Sequence, residues 1–150
     1  MTIRKSVTVR CSPETAFRIF TRDIGRWWPL HLGFSFGGER KQAVFLDDHA
    51  GGRFYERLTD GSEFEIGRVT LADPPHLILF TWHPPNRDAG GEVEVRFSAA
   101  PDGTLVDLEH RGLEPTPARE KAFTGGWDRV LAHYVAAAND RNTQAGEAER

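Results

Sequence analysis

One cysteine, Cys11, stands in the whole chain of 150 residues, so no intramolecular disulfide can form and a reducing cytoplasm suits the protein. Cys11 lies just before a helix start and reads as a plain packed thiol. No window holds the roughly 18 to 20 apolar residues that a membrane span needs. Neither charge sign dominates: 22 acidic against 19 basic side chains leave a net charge of -3. That balance gives no electrostatic footprint for nucleic acid or for an anionic membrane. The first residues, "MTIRKSVTVR", alternate charged and apolar side chains, which is the pattern of a strand and not of a signal peptide.

Signals for metal or cofactor chemistry are equally thin. The six histidines are His31, His49, His76, His83, His110 and His133, with no HExxH and no pair four apart. His76 and His83 share one expected strand but lie roughly 23 Å apart at about 3.3 Å per residue, too far to hold one ion. Cys11 has no recognisable histidine partner, and no glycine-rich loop opens a helix in the phosphate-binding manner. The glycine pairs at 37–38, 51–52, 90–91 and 125–126 read as turns. No catalytic residue, metal or cofactor is expected.

What is present is a clear order of elements. In "TIRKSVTVRC", Ile3, Val7 and Val9 share one face at period two. "CSPETAFRIF" starts a helix: Ser12 can cap it, Pro13 suits its first position and Glu14 complements its positive end. A second short helical piece, "DIGRWWPLH", ends at Pro29. Strands follow in "QAVFLD", "GRFYERLTD", "SEFEIGRVTLA", "HLILFTWH", "GEVEVRFSAA" and "TLVDLEHRG". The short links "DGS" and "PDG" are hairpin turns, which make the sheet antiparallel. "HLILFTWH" is a central strand, apolar on both faces.

Trp127, Val130, Leu131, Tyr134 and Ala138 form one stripe of a C-terminal helix. Gly125-Gly126 should weaken it, so its continuous part is expected to begin near Thr124 or Gly126. The fold class is α+β, one domain over residues 1–140. A polar segment at 141–150 reads as a frayed tail.

Two ionisable residues stand on apolar strand faces. Glu56 shares a face with Phe54 and Leu58, and His110 shares one with Thr104, Val106 and Leu108. Burying such groups is costly unless they find partners. Either they sit at a sheet rim and reach solvent, or they are polar anchors in a cavity. The large rings Trp27, Trp28, Trp82, Trp127, Phe34, Phe36, Phe54, Phe80 and Phe97 favour a partial cavity of the kind that holds ligands.

The phrases "AFRIFTRDIGRWWPLH", "GGRFYERLTDGSEFEIGRVTLADPPHLILFTWHP", "EVEVRFSAAPDGTLVDLEHRGLE" and "GGWDRVLAHYV" resemble the bacterial SRPBCC (START-like) proteins. More narrowly, they are similar to the activator of heat-shock-protein-90 ATPase homologue, C-terminal-like family. The resemblance implies a helix-grip fold: a curved antiparallel sheet around a long C-terminal helix, with two short helices after the first strand. It implies a hydrophobic cavity lined by Trp28, Phe54, Glu56, Phe80, Trp82, Val95, Phe97, Leu108, His110, Trp127 and Leu131. The implied partner is a small apolar or amphipathic molecule of lipid or aromatic type, bound without catalysis by a monomer or homodimer. The alternatives are a chaperone as partner, in a stress response, and cyclase or hydrolase chemistry at Glu56 and His110. The chain departs from its relatives in having no room for a separate chaperone-binding domain. It also lacks the cysteine and histidine pairing of Rieske-type oxygenases.

Overall fold

The computed structural model describes residues 1–32, 34–84 and 90–145. Strand β1 (Ile3–Val9) turns Ile3 and Val9 fully inward. Helix α1 (Pro13–Phe20) follows, capped by the Ser12 hydroxyl, which accepts from the Thr15 amide at 3.3 Å. It buries Ala16, Phe17, Ile19 and Phe20. Cys11, half-buried ahead of it, has its thiol pushed up to about 11 by desolvation, so it stays protonated. Helix α2 (Ile24–Trp27) is a single turn, followed by 3-10 turns at Leu30–Leu32 and Gly38–Arg40.

Six more strands complete one sheet: β2 (Lys41–Leu46), β3 (Arg53–Leu58), β4 (Glu63–Asp73), β5 (Leu77–Thr81), β6 (Glu92–Ala100) and β7 (Gly103–Arg111). Their spatial order is β1-β7-β6-β5-β4-β3-β2, and every neighbouring pair is antiparallel. Register shifts at Phe54/Tyr55 and at Val69/Leu71 mark irregularities on both sides of β4, and such irregularities bend a sheet. The concave face carries the apolar residues, and α3 (Pro117–Asn139) lies across it with Trp127, Val130, Leu131, Tyr134 and Ala138 buried. The curved antiparallel sheet around a C-terminal helix is the helix-grip architecture expected from sequence.

Three local expectations change. Helix α3 does not begin at Thr124 or Gly126 but runs unbroken from Pro117. The Thr116 hydroxyl caps it by accepting from the Arg119 amide at 3.2 Å, and Pro117 fills its first turn. A methyl group on Gly126 would make only an ordinary contact with the Phe34 ring, at 3.7 Å. The segment read as a frayed tail begins with a helix, α4 (Arg141–Ala145). The buried Arg18 guanidinium holds it, donating to the carbonyls of Thr143 and Gln144 at 3.1 and 2.9 Å. The Gln144 amide nitrogen adds bonds to the carbonyls of Arg10 and Ala138 at 3.1 and 2.8 Å. These are polar contacts, so apolar spacing does not signal them; residues 146–150 lie outside the described residues. Finally, β5 stops at Thr81, and its second face is not packed: Ile78 and Phe80 are buried, while Leu77 and Leu79 stay half-exposed on the convex side.

At Gly67 the backbone of β4 closely approaches that of β5. A methyl group there would lie 1.8 Å from the carbonyl oxygen of Thr81. Gly67→Ala is therefore expected to cost about 2 to 4 kcal/mol, as strained core substitutions do. Urea denaturation of the two proteins checks this, and an unchanged midpoint would show that the strands can separate at no cost.

Candidate functional site

The concave face collects its rings into two groups. At one end, Phe97 of β6 packs on Phe17 and Phe20 at 5.3 and 5.9 Å between centroids, and Phe20 meets Tyr134 at 5.1 Å. At the other, Trp82 is the hub. Its ring meets those of His110 at 5.1 Å, Trp127 at 5.8 Å, Phe36 at 5.9 Å and Phe54 at 6.0 Å. Trp28 closes that group, edge-on to Phe54 at 5.4 Å and Trp127 at 6.3 Å. Trp27 and Trp28, 6.0 Å apart, join the two groups.

Of the residues expected to line a cavity, Trp28, Phe54, Glu56, Phe80, Trp82, His110 and Trp127 thus gather around one end. Phe97 belongs to the α1 end. Val95 and Leu108 face each other across β6 and β7 between the two groups. Leu131 is buried and also forms part of a groove beside β1.

The two ionisable residues do not sit at a solvent rim. Glu56 and His110 are each 0% exposed, on the same concave face. Burial of these groups is made tolerable by hydrogen bonds. The Glu56 carboxylate accepts from the Ser35 hydroxyl at 2.6 Å, the Phe36 amide at 2.7 Å and the Gly37 amide at 3.4 Å. It therefore ties the 34–37 segment down onto β3. His110 is bonded through both ring nitrogens. Trp127 Nε1–H, which can only donate, points to Nδ1 at 3.1 Å, and Nε2 faces the carbonyl of Gly90 at 3.3 Å. That assigns the neutral tautomer with its proton on Nε2. Burial pushes the imidazole pKa down to about 4, so His110 is uncharged at neutral pH.

Sequence reasoning missed Ser35, Phe123 and Gly90. Phe123 stacks edge-on against His110 at 5.2 Å, one helix turn before Trp127. Ser35 is the centre of "GFSFG", residues 33–37, which matches the letters of the hydrolase nucleophile pattern G-x-S-x-G. Its surroundings differ from that motif. Ser35 lies in an irregular segment between two 3-10 turns, and its hydroxyl meets a carboxylate in place of a histidine. Among the described residues, no group of three or more His, Cys, Asp and Glu could hold a metal ion, and no helix is long and apolar enough to cross a membrane.

A curved seven-stranded sheet gripping a long helix over a ring-lined concave face defines the helix-grip class. A model of the family described as "Activator of Hsp90 ATPase homolog 1-like protein" matches residues 10–138, and the chain belongs to that family. Similar solved structures include the Aha1 dimer from Colwellia psychrerythraea, 16% identical with a TM-score of 0.69 over 93% of this chain and 96% of that one. An AHSA1-like protein from Aeromonas hydrophila is 23% identical, with a TM-score of 0.63 over 99% and 94%. An anthrahydroquino-gamma-pyrone synthase, Txn09, complexed with SUM, is 31% identical, with a TM-score of 0.58 over 90% and 95%. No curated protein sequence matches the chain.

Two expectations follow from the buried polar groups. An imidazole near 6.5 when unfolded and near 4 when folded stabilises the protein above pH 6.5, and that stability is lost as the pH falls toward 4. The loss amounts to about 3 kcal/mol at full effect. Denaturation curves from pH 7.5 to 3.5 should show this slope in the wild type, and a shallower one in His110→Gln. Equal slopes would mean that His110 protonates freely in the fold. Glu56→Gln replaces an acceptor of three donors by a group that presents its own N–H, and should cost about 1 to 3 kcal/mol. Faster amide hydrogen exchange at Phe36 and Gly37 would locate that loss.

Proposed function

We propose that the protein binds a flat aromatic molecule between the sheet and α3, by parting the rings of Trp82, Trp28 and Trp127 that otherwise pack on one another. The observation that carries this reading is the neutral His110, buried among rings with its Nε2–H held only by a 3.3 Å contact to a carbonyl. A hydrogen bond this long is readily exchanged for one to a phenolic or quinone oxygen, which would orient the ligand. Glu56 supports the site from behind, because its bonds are used to fix Phe36, a half-buried ring against Trp82. The likeness to Txn09, whose product name denotes a fused aromatic ring system, favours an aromatic ligand over a lipid. A cytoplasmic location accords with the single thiol.

The same likeness favours a second reading, catalysis on the bound molecule. His110 cannot take up a proton on Nδ1 without releasing Trp127 Nε1–H, so in this arrangement it acts first as a donor. A third activity, stimulation of a heat-shock-protein-90 ATPase, follows only from the family's description and would be read directly in an ATPase assay with the cognate chaperone.

Titration with 1,8-dihydroxyanthraquinone in a calorimeter, beside palmitate, tests the leading reading. The quinone should bind and raise the melting temperature, and His110→Gln should weaken it about tenfold, the value of one good hydrogen bond. Binding of palmitate alone, or of neither compound, would overturn the aromatic assignment. Chemical change of the bound quinone, followed by mass spectrometry, would move the reading from carriage to catalysis.

A further inference from the structure

A flat molecule that reaches Trp82 has to part rings that already pack on one another, and the rings of this cluster differ in what holds them. Trp28 donates its Nε1–H to the Phe34 carbonyl at 2.8 Å, and Trp127 donates its own to His110 Nδ1 at 3.1 Å. Either indole would give up a buried hydrogen bond on turning away. Phe54 is fully buried in β3, between β2 and β4. Phe36 and Phe123 are half-buried, with centroids 5.9 and 6.4 Å from that of Trp82, and a phenyl ring has no polar atom to pin it. Phe123 belongs to α3 and also sits edge-on to His110 at 5.2 Å. Phe36 stands in the irregular segment between the two 3-10 turns.

The backbone under Phe36 is fixed, so its movable part is the ring. The Phe36 amide donates to the Glu56 carboxylate at 2.7 Å, and the next amide, that of Gly37, does so at 3.4 Å. Gly37 is seated so closely on β3 that a methyl group there would lie 2.5 Å from Cδ2 of Leu58. A half-buried ring on a pinned backbone changes place by rotation between staggered χ1 wells. Its contact with Trp82 is edge to face, at 78° between planes, which is one of the arrangements that any aromatic ring prefers against an indole.

We propose that Phe36 is an internal competitor for the aromatic site, an inference that rests on the binding reading above. Its ring lies where the outer ring of the ligand goes, against Trp82. On binding, Phe36 turns out toward solvent while Glu56 keeps its amide in place. The site is thus closed by a side chain with the chemistry of its own ligand. That makes Phe36 a specificity-determining residue: a molecule without an aromatic ring to set against Trp82 does not replace the contact that it breaks.

Titration with 1,8-dihydroxyanthraquinone separates a competitor from a wall of the site, because the two predict opposite signs. Phe36→Ala should bind the quinone about two- to tenfold more tightly than the wild type, the value of one edge-on ring contact, and Phe36→Trp should bind it more weakly. Phe123→Ala measures the gain that any missing ring of the cluster gives, and Phe36→Ala should exceed it. With para-fluorophenylalanine at position 36 alone, the fluorine resonance should move toward that of the free amino acid as quinone is added. Weaker binding by Phe36→Ala, a gain no larger than that of Phe123→Ala, or a fluorine resonance that quinone leaves in place would each overturn the competitor and leave the aromatic site standing. Binding by Phe36→Ala alone would uphold the competitor in its strongest form. Binding by neither protein would overturn the aromatic site and the competitor together.

Discussion

Everything in this molecule follows from one constraint: a seven-stranded antiparallel sheet curved into a half-barrel has a single apolar face, and only α3 is long enough to cover it. The helix is about 10 Å across with its side chains, narrower than the concavity of a wide sheet. The remaining space has to be filled by large groups, and the chain supplies rings. Phe17, Phe20, Trp27, Tyr134 and Phe97 fill the α1 end, while Trp28, Phe54, Trp82, Trp127 and Phe123 fill the other. Rings meet at tilted and edge-on angles throughout, the arrangement that their quadrupoles favour.

Both ends bury polar groups, of different kinds. At the α1 end Tyr134 donates to the Ala16 carbonyl at 2.9 Å, Trp27 donates to that of Ile19 at 2.7 Å, and the buried Arg18 and Asp23 form an ion pair at 3.4 Å. At the Trp82 end an imidazole and a carboxylate are buried, groups far more expensive to desolvate than a phenol or an indole. Glu56 holds the 34–37 segment on β3, and His110 accepts from Trp127 of α3. Both lie on one face, linked through Phe36 and Trp82.

Much of this was legible from residue order. The period-two face in Ile3/Val7/Val9, and the stripe from Trp127 to Ala138, correctly predicted strand and helix because burial on one face imposes a period. The polar intruders Glu56 and His110 broke that period and so stood out as groups that need buried partners. What escaped notice had no period to carry it. Ser35, Phe36 and Gly90 lie in irregular segments, and Arg18 grips α4 across 125 residues of sequence. Gly125-Gly126 misled because helix propensity is a weak prior that the cap at Thr116 and the buried stripe from Trp127 to Ala138 override.

The same constraint decides what happens at the sides of the sheet. A sheet that closes on a helix and not on itself keeps two edges. The β2 edge lies against α2, where a methyl group on Gly25 would come 3.1 Å from the Val44 carbonyl. The β1 edge lies beside α3, where the Lys5 ammonium reaches Asp128 at 2.7 Å. An uncovered edge ordinarily invites self-association, and cationic side chains are a common guard against it. Arg4 and Lys5 supply that guard on β1, each paired with an acidic neighbour, Glu109 and Asp128.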